Sequence, residues 1–459
     1  MNNSRSISER VAGARTAFRR GASRPVAWRR GQLEALERML VAEESEFCEA
    51  LSSDLGKPAP EAWLTEVSFV IQASQFARKN LDRWTRSRPV NTPVFAMPGR
   101  SRVRPEPLGT VLIIAPWNYP LQLCLAPLVT AISAGNCAVI KPSELAPATA
   151  SALARLLPRY LDPECVVVIE GGVDASTQLL DEPWGHIVFT GGARVAKIVM
   201  SAAARHLSPV TLELGGKSPC VVLPDANLEV AARRIAWGRF TNAGQTCIAP
   251  DYVLTDAHTR DRLVPLLRNE IEQMFGEDPS RSPDYGRIIN ETHFDRLLGL
   301  MEGAQCVVGG DSRRESLYIA PTVISPAAAD QACMQDEIFG PLLPILDSPD
   351  LDTAIAHIRS KPKPLSAYLF SKDRKAQARF EDEVSAGSIC LNDVMLFMAI
   401  EDLPFGGVGN SGMGNYKGEG GFHNLSHDKA VLSRSLWPDW ALRYAPISSA
   451  KMKWLRRLR

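Results

Sequence analysis

"TVLIIAPWNYPLQLCLAPLVTAISAGNCAVI", residues 110–140, contains no Asp, Glu, Lys or Arg, and this charge-free run begins at Pro107. A run of this length and hydrophobicity is compatible with a membrane span. Helix-breaking and polar residues interrupt it, however, at Pro116, Asn118, Pro120, Pro127 and Asn136. The run therefore divides better into a strand (TVLIIA), a loop (PWNYP), a helix and a second strand (CAVI). A buried unit of this kind predicts an α/β fold with parallel strands.

The same pattern continues along the chain. Further short apolar runs alternate with helical stretches: "CVVVIE" at 165–170, "HIVFT" at 186–190 and "VTLEL" at 210–214. Near-continuous apolar strands between helices predict a parallel sheet that helices cover on both faces. A second alternating region runs from Lys217 to about Asn392, and a glycine-rich segment, "LPFGGVGNSGMGNYKGEGGF", occupies 403–422. The chain therefore contains two regions in which strands and helices alternate.

The segment before the first sheet is predicted to be mostly helical. Apolar spacing predicts one helix from Leu33 to Leu55, ended by Gly56 and Pro58. A second helix follows, and its predicted buried stripe is Trp63, Val67, Val70, Ile71 and Trp84. The stretch "TPVFAMPGRSRVRPEPLG", residues 92–109, predicts two extended arms around a Pro-Gly turn.

Length and charge limit the classes of function. A chain of 459 residues is too long for one ordinary core, so we expect two or three domains. Hydrophobic content of 45% and charged content of 22% are typical of a soluble globular protein. The net charge of +1 produces no overall attraction to nucleic acid, and we expect no nucleic-acid partner.

The nine cysteines indicate a reducing compartment. They are odd in number, scattered and mostly within apolar segments, with no CxxC and no zinc-type cluster with histidines. We therefore expect no metal site, a cytoplasmic location and mostly buried, inert thiols. The positions are Cys48, Cys124, Cys137, Cys165, Cys220, Cys247, Cys306, Cys333 and Cys390.

Both ends of the chain are basic. Residues 1–30 carry eight arginines against one acid, and the tail "KMKWLRRLR" carries five cations and no acid. The start is compatible with a mitochondrial transit peptide, but the helical pattern continues past it without a break, which favours a solvated basic helix face. The tail could make weak contact with an anionic membrane surface, and the favoured interpretation is a solvated basic end.

Informative residues follow the strands of the first sheet, where ligands bind in folds of this type. They are Trp117 and Asn118 after the first strand, Lys141 and Glu144 after the second, Gly191 and Gly192 at a helix start, and Glu213 after Leu212. Backbone N–H groups at the glycine pair could meet a pyrophosphate. Taken singly, each of these residue types is also common in ordinary turns.

The stretch "FTNAGQTCIAP", residues 240–250, places Cys247 behind small, polar and flexible residues. A single cysteine is more often structural than nucleophilic. The order of this stretch and the strand-end residues along one chain makes the catalytic interpretation the stronger one.

That ordered set closely resembles the aldehyde dehydrogenase superfamily, and it is most similar to the class 3 branch, which includes bacterial coniferyl-type and fatty aldehyde dehydrogenases. The resemblance runs from about residue 5 to about residue 446. The segments that carry it are "APWNYPLQL", "KPSELAP", "FTGGARVAK", "TLELGGKSP", "GQTCIAP", "DEIFGP" and "LPFGGVGNSGMG".

The resemblance implies a reaction and three catalytic residues. NAD(P)+-dependent oxidation of an aldehyde to a carboxylic acid would proceed through a thiohemiacetal and a thioester on Cys247. Asn118 and the backbone N–H of Cys247 would bind the oxyanion, and Glu213 would activate the water that hydrolyses the thioester.

The resemblance also implies the residues that bind the cofactor, which we expect to be NAD, with NADP also accepted. Lys141 and Glu144 would bind the adenosine ribose, and Thr190 and Gly191 would lie near the pyrophosphate. Glu337 would hold the nicotinamide ribose, with Phe339 along the nicotinamide. The cofactor path would be lined by Trp117, Val195, Leu214 and Gly215. Ala193 and Ala196 depart from the family pattern, and the Ala196 methyl is expected to tighten the approach of its helix to the cofactor.

The architecture implied by the resemblance has three parts. Residues 1–87 and 108–213 would form a Rossmann-like NAD(P)-binding domain, and residues 214–394 an α/β catalytic domain. Residues 88–107 and 395–459 would form a bridging and oligomerisation element with the C-terminal tail. Exposed strand arms need a partner, which favours a homodimer.

Two alternative functions remain open. A coenzyme A-acylating dehydrogenase would resolve the thioester with a thiol, although Glu213 favours water. A non-catalytic binding relative is disfavoured by the set Cys247, Glu213, Asn118 and Lys141. Apolar Met395, Phe397 and Met398 before "LPFGG" suit a medium-chain aliphatic or aromatic aldehyde.

Overall fold

The computed structural model describes residues 6–457. The extreme ends of the two predicted basic termini, 1–5 and 458–459, lie outside the described residues. The helices are α1 (Ile7–Arg19), α2 (Val26–Ala42), α3 (Glu44–Leu55), α4 (Ala59–Ala62), α5 (Ser68–Thr85), α6 (Gln122–Ala134), α7 (Pro147–Tyr160), α8 (Val173–Leu180), α9 (Ala193–Ala204), α10 (Leu228–Phe240), α11 (Ala257–Phe275), α12 (Glu291–Met301), α13 (Leu351–Arg359), α14 (Arg374–Glu383), α15 (Gly418–Asn424) and α16 (Ser449–Arg457).

The strands alternate with these helices through most of the chain. They are β1 (Arg88–Val90), β2 (Gly99–Pro107), β3 (Thr110–Ile114), β4 (Cys137–Lys141), β5 (Val166–Val168), β6 (His186–Thr190), β7 (Val210–Glu213), β8 (Pro219–Val222), β9 (Tyr252–Thr255), β10 (Cys306–Val308), β11 (Ser312–Arg313), β12 (Tyr318–Ile319), β13 (Thr322–Ile324), β14 (Leu342–Asp347), β15 (Ser366–Phe370), β16 (Ser388–Leu391), β17 (Gly412–Met413) and β18 (Ser426–Arg434).

The first sheet has the strand order β17-β7-β6-β3-β4-β5. All its strands are parallel except β17, which pairs antiparallel with β7. From β3, the chain adds β4 and β5 on one side of the sheet and then β6 and β7 on the other, so the strand order reverses at β3. Ligands bind at the carboxyl ends of the strands beside such a reversal. The predicted α/β fold, with a largely parallel sheet that helices cover on both faces, is confirmed.

Apolar side chains cover both faces of this sheet. Val111 and Ile113 of β3 point into the large core, whereas Leu112 and Ile114 point into a second cluster packed against α1, α8 and α9. Every residue of α6 is buried. Burial inside the protein therefore accounts for the charge-free run 107–140. Within the described residues, no helix is both long and apolar enough to cross a bilayer.

A second sheet carries the strands of the later alternating region. Its order is β10-β13-β14-β9-β8-β15-β16, and only the edge strand β10 is antiparallel. A third sheet, β1-β2-β18, is antiparallel, and the nine residues of β2 pair along their whole length with β18. The glycine-rich segment 403–422 contributes β17 to the first sheet, and β18, which follows this segment, joins the third sheet.

Two details of the N-terminal helices differ from the sequence expectation. The predicted single helix 33–55 is wrong, because the chain breaks at Glu43 (φ −112°, ψ 22°) and forms α2 and α3. The predicted burial of Trp63 is also wrong, since it is 44% exposed. Trp63 begins a five-residue π-helix, Trp63–Val67, whose wider turn shifts the buried face onto Glu66 and Val67.

Candidate active site

The turn before Cys247 has an unusual backbone. After α10, Asn242, Ala243 and Gly244 all have left-handed φ values of 53°, 50° and 73°. Two consecutive non-glycine residues in this region store strain, which persists only where surrounding contacts fix it. A Cβ on Gly244 would lie 2.2 Å from the carbonyl oxygen of Gly340, so no larger residue fits there. This turn delivers the following residues to the carboxyl edge of the first sheet.

Gln245 holds the turn through its side-chain amide. Its Nε2 donates to the carbonyls of Asn242 (3.0 Å) and Arg287 (2.9 Å), and its Oε1 accepts from the N–H of Ile289 (3.0 Å). Asn242 Nδ2 in turn donates to the carbonyl oxygen of Asn118 over 2.8 Å. The polar residues that precede Cys247 in the sequence therefore brace the backbone around it.

Cys247 is half-buried at the end of this braced turn. Burial, followed by the carboxyl groups of Glu337 and Glu213, raises the pKa of its thiol, while the N–H groups of Cys247 and Ile248 oppose that rise. Burial and the two carboxyl groups therefore favour the protonated thiol over the thiolate. A base has to remove the proton before the sulfur can act as a nucleophile.

Glu213 is the last residue of β7 and is 2% exposed. Within the described part of the chain, neither carboxyl oxygen has a hydrogen-bond partner. Burial raises the pKa of this carboxyl well above its ordinary value. An unpartnered, buried carboxyl group costs stability, and such groups concentrate at sites where they handle protons.

Asn118 follows β3 and is 3% exposed. Its Nδ2 donates to the carbonyl oxygen of Gln245 over 3.0 Å, which joins the first sheet to the Cys247 turn. An amide nitrogen carries two N–H donors, so the second one remains for a ligand. Asn118 and Glu213 thus lie at the edge of the first sheet that their positions after β3 and β7 predict, and Cys247 lies close to both.

Lys141 and Glu144 lie together at the end of β4. Lys141 Nζ is 2.5 Å from Glu144 Oε2, with the lysine side chain buried and the glutamate side chain 43% exposed. Partial burial is the largest single influence on the Glu144 carboxyl and opposes its ionisation. The hydrogen bond from Lys141, the backbone N–H of Glu144 and the charge of Lys141 together outweigh burial and lower the pKa of the carboxyl. The pair presents a donor and an acceptor side by side, which is what two neighbouring ribose hydroxyls require.

Helix α9 begins shortly after β6 ends, and the space next to its N-terminus is free. Thr190 ends β6, and the N–H of Gly191 donates to the carbonyl of Glu213 over 3.0 Å. Nothing lies within 4 Å of the position that a Cβ on Gly192 would occupy. Val195, in the first turn of α9, is 37% exposed, whereas Ala196 is buried in the core beneath α9. The Ala196 methyl therefore packs toward the sheet.

Glu337 is a second carboxyl group close to the Cys247 thiol. Its carboxyl packs against Gly215, where a Cβ would come within 2.0 Å of Oε2. Burial and then the nearby Asp251 carboxylate raise the pKa of Glu337 to about 8. Leu214 is buried beside this glycine. The small residue at 215 is what admits the Glu337 side chain to the site.

Trp117 and Phe339 form the aromatic wall of the site. Their rings meet edge to face at 5.3 Å between centroids, and the Trp117 ring also lies 4.9 Å from that of His293. Burial lowers the pKa of His293, as does the charge of Arg296. His293 is a lone histidine in α12 that belongs to no motif, so the sequence does not predict its place at the site.

The chain matches the sequence model of the aldehyde dehydrogenase family over residues 2–431. The chain belongs to this family. It is 45% identical to aldehyde dehydrogenase family 3 member A2 of Pongo abelii over 97% of this chain and 92% of that one. It is also 45% identical to a dog (Canis lupus familiaris) enzyme named "aldehyde dehydrogenase, dimeric NADP-preferring", over 97% and 99% of the two chains.

Solved structures give the same family. The structure of Staphylococcus aureus AldH in a substrate-bound state superposes with a TM-score of 0.96 at 42% identity, covering 100% of this chain and 99% of that one. The aldehyde dehydrogenase fold and the enzyme class predicted from the sequence, NAD(P)-dependent oxidation of aldehydes to acids, are confirmed. The alternative of a non-catalytic binding relative has no support in these comparisons.

Two further groups lie close to the dehydrogenase site without a sequence signal. The Tyr416 hydroxyl is buried and has no hydrogen-bond partner among the described residues. Burial, followed by the charges of Glu213 and Cys247, raises the pKa of this phenol well above its ordinary value. Beneath Asn118, Lys57 and Glu66 form an ion pair with both side chains fully buried.

The loop expected to line the aldehyde pocket, residues 392–402, is partly turned into the protein. Met395 and Phe397 are buried, and the Phe397 ring stacks on Tyr368 at 6.5 Å. Met398 is half-buried. Lys417 Nζ donates to the carbonyl oxygens of Met398 and Ile400, the latter over 2.9 Å. A buried lysine therefore anchors this loop.

The expectation that the other eight thiols are buried is wrong for three of them. Cys48, Cys306 and Cys390 are half-buried. Cys306 lies in β10 and Cys390 in β16, which are the two edge strands of the second sheet, so one side of each lacks a neighbouring strand. Apolar sequence context does not distinguish an edge strand from a central one.

Proposed function

We propose that this aldehyde dehydrogenase oxidises a medium-chain aliphatic or aromatic aldehyde through an acyl intermediate on Cys247. The observation that carries the proposal is the buried, unpartnered carboxyl group of Glu213 at the same sheet edge as the half-buried Cys247 thiol. Asn118 supplies the third group, with one N–H free for a ligand.

The residues at the sheet edge fit a dinucleotide. Lys141 and Glu144 offer a donor and an acceptor to the adenosine ribose, and the open N-terminus of α9 offers backbone N–H groups to the pyrophosphate next to Thr190 and Gly191. Glu337 supplies a carboxyl group for the nicotinamide ribose. The remaining cofactor-contacting residues of the proposal are Trp117, Val195, Leu214, Gly215 and Phe339.

In the proposed first half-reaction, the Cys247 thiol loses its proton to solvent water, and its sulfur adds to the aldehyde carbon and forms a C–S bond. The carbonyl oxygen becomes an oxyanion, which accepts hydrogen bonds from Asn118 Nδ2 and the Cys247 N–H. Bound NAD(P)+ supplies the hydride acceptor for the C–H bond of this adduct. One such oxyanion donor typically contributes about 3 kcal/mol of transition-state stabilisation.

In the second half-reaction, Glu213 removes a proton from water as the water oxygen attacks the thioester carbon. The C–S bond breaks, the carboxylic acid leaves and the Cys247 sulfur takes up a proton. The raised pKa of Glu213 suits this role, because a carboxyl group with a higher pKa is a stronger base toward water.

A coenzyme A-acylating reaction is the alternative for the second half. Glu213 favours hydrolysis of the thioester by water, because transfer of the acyl group to the thiol of coenzyme A would not require a carboxylate that activates water. The test is NADH formation with a series of aldehydes, with the product identified by mass spectrometry in the presence and absence of coenzyme A. Free acid as the sole product in both conditions supports the proposal, and an acyl-coenzyme A product contradicts it.

We also propose a domain organisation, a homodimeric state and a cytoplasmic location for this protein. Residues 1–87 and 108–213 form the NAD(P)-binding domain, residues 214–394 the catalytic domain, and residues 88–107 and 395–459 the bridging element. The third sheet lies in the bridging ranges and leaves an open strand edge along β18, which supports a homodimer together with the name of the dog relative. The unpaired cysteines of the described residues suit the cytoplasm, and the basic tail is taken as a solvated end.

A further inference from the structure

A buried ion pair lies directly beneath the proposed oxyanion donor. Lys57 and Glu66 are both 0% exposed and contact each other through Nζ and Oε1. Such pairs add little stability compared with apolar side chains of similar size, because desolvation of both charges offsets their attraction. Stability alone therefore gives a weak explanation for this pair, and its contacts suggest another.

Glu66 holds the chain that follows Asn118. Its Oε2 accepts hydrogen bonds from the backbone N–H groups of Leu121 (2.9 Å) and Gln122 (3.1 Å). Gln122 begins α6, so this carboxylate caps the helix N-terminus, where a negative charge is favoured. The cap fixes the start of α6 relative to the turn that carries Asn118.

Lys57 holds Asn118 itself. Its Nζ donates to the carbonyl oxygen of Asn118 over 3.2 Å and lies 4.2 Å from the centroid of the Tyr119 ring. The Tyr119 hydroxyl is 2.8 Å from Thr246 Oγ1, and Thr246 precedes Cys247. The Lys57 ammonium group therefore contacts the turn that carries Asn118. Through the Tyr119 side chain it is also connected to the turn that carries Cys247.

The local backbone is built to bring Glu66 inward. Lys57 precedes Pro58 and the short helix α4, and Glu66 lies within the π-helix Trp63–Val67. A single π-helical turn between α-helices changes which side chain faces the core, and such turns are frequent at functional sites. The segment 57–67 thus places both charges under the turn at residue 118.

We propose that Lys57 and Glu66 are positioning residues for aldehyde oxidation, which fix residues 118–122 so that the Asn118 amide points at the substrate oxygen. This inference rests on the role of Asn118 in the proposed function. Neither residue touches substrate or cofactor. Loss of the pair should therefore affect catalysis mainly through the placement of Asn118.

The test is a double-mutant cycle between Lys57→Met and Asn118→Ala. Because a misplaced catalytic group costs up to about 100-fold, Lys57→Met should lower kcat/KM for the aldehyde by about 10- to 100-fold, while the Kd for NAD+ stays within about twofold. In the Asn118→Ala background, the same change should lower kcat/KM by less than about threefold. Lys375→Met, an exposed lysine of α14, is the matched control.

A second comparison separates positioning from stability. Lys57→Met leaves the Glu66 carboxylate buried and unpaired, so its Tm should fall. The double variant Lys57→Met/Glu66→Gln removes both charges and should recover most of the Tm without recovering kcat/KM. Glu66→Gln alone replaces Lys57→Met in the cycle if the latter does not fold.

Two outcomes overturn the inference: equal losses with and without the Asn118 side chain, or a double variant that regains activity together with Tm. An additive result with an active wild type leaves the proposed function intact. A wild type that forms no NADH with any aldehyde overturns the proposed function itself and the inference with it.

Discussion

Asn118 Nδ2 donates a hydrogen bond to the backbone carbonyl of Gln245 across 3.0 Å. This contact joins the turn after the first strand of one sheet to the turn that carries Cys247, although 127 residues separate the two partners. The side-chain amide is thereby oriented before any substrate arrives. Donors that are already oriented cost no reorganisation when charge develops on a substrate.

Replacement of Asn118 by Ala should therefore lower kcat/KM for aldehydes by about 100- to 1,000-fold, the usual cost of one oxyanion donor. The Kd for NAD+, measured by fluorescence quenching, should change little. Asn80→Ala is the matched control, because Asn80 donates only to the Phe76 carbonyl within α5. A loss of less than about threefold in Asn118→Ala would remove this residue from the oxyanion site.

The pH dependence of turnover follows from the raised pKa of Glu213. The acid form predominates below that pKa and the carboxylate above it, so general-base catalysis gains as pH rises. Where deacylation limits turnover, kcat should rise about tenfold per pH unit below the pKa and then level off. In the Glu213→Gln variant, the remaining kcat should not show this rise with pH. A wild-type kcat that falls with rising pH between about pH 6 and 8 would contradict the assignment.

Cofactor preference should depend on Glu144. Its carboxylate repels a 2′-phosphate, and Lys141 beside it offsets part of that repulsion. We expect NAD+ to be preferred over NADP+ by about tenfold, which corresponds to about 1.4 kcal/mol. Glu144→Gln should narrow the ratio, mainly through a lower KM for NADP+, and Glu381→Gln on α14 should leave it unchanged. A wild type that prefers NADP+ would show that Glu144 does not discriminate against the 2′-phosphate.

The loop at residues 392–402 should set the choice of aldehyde through its anchor. Lys417→Met removes the hydrogen bonds to the Met398 and Ile400 carbonyls, and each buried carbonyl left unpaired costs about 1–3 kcal/mol. The loosened loop should raise KM for the preferred aldehyde by about tenfold, with kcat within about threefold. The measurement is kcat/KM across aldehydes of increasing chain length, with Lys372→Met as the control. An unchanged chain-length profile would rule out this anchoring role.

Sequence patterns predicted the features that depend on residues close to one another in the sequence. The apolar strands and the turns that follow them place Asn118, Lys141 and Glu213 at one sheet edge by topology alone. Cys247 stood out because small polar residues surround it. These predictions needed no knowledge of distant contacts.

Other features depend on contacts that no local pattern encodes. Lys57 pairs with Glu66, which lies in a π-helical turn, and donates a hydrogen bond to the carbonyl of Asn118, 61 positions along the chain. His293 and Tyr416 lie at the site through tertiary packing, and neither belongs to a motif of polar residues at a strand end. The edge positions of Cys306 and Cys390 follow from strand order, which local sequence does not reveal.

Glu213→Gln tests most directly the claim that Cys247 carries the acyl group. This variant, mixed with aldehyde and NAD+, should release about one NADH per subunit and then stop, because the thioester forms but no base activates water. Peptide mass mapping should find the acyl group on Cys247. An acyl group on another residue, or steady turnover at the wild-type rate, would contradict the account.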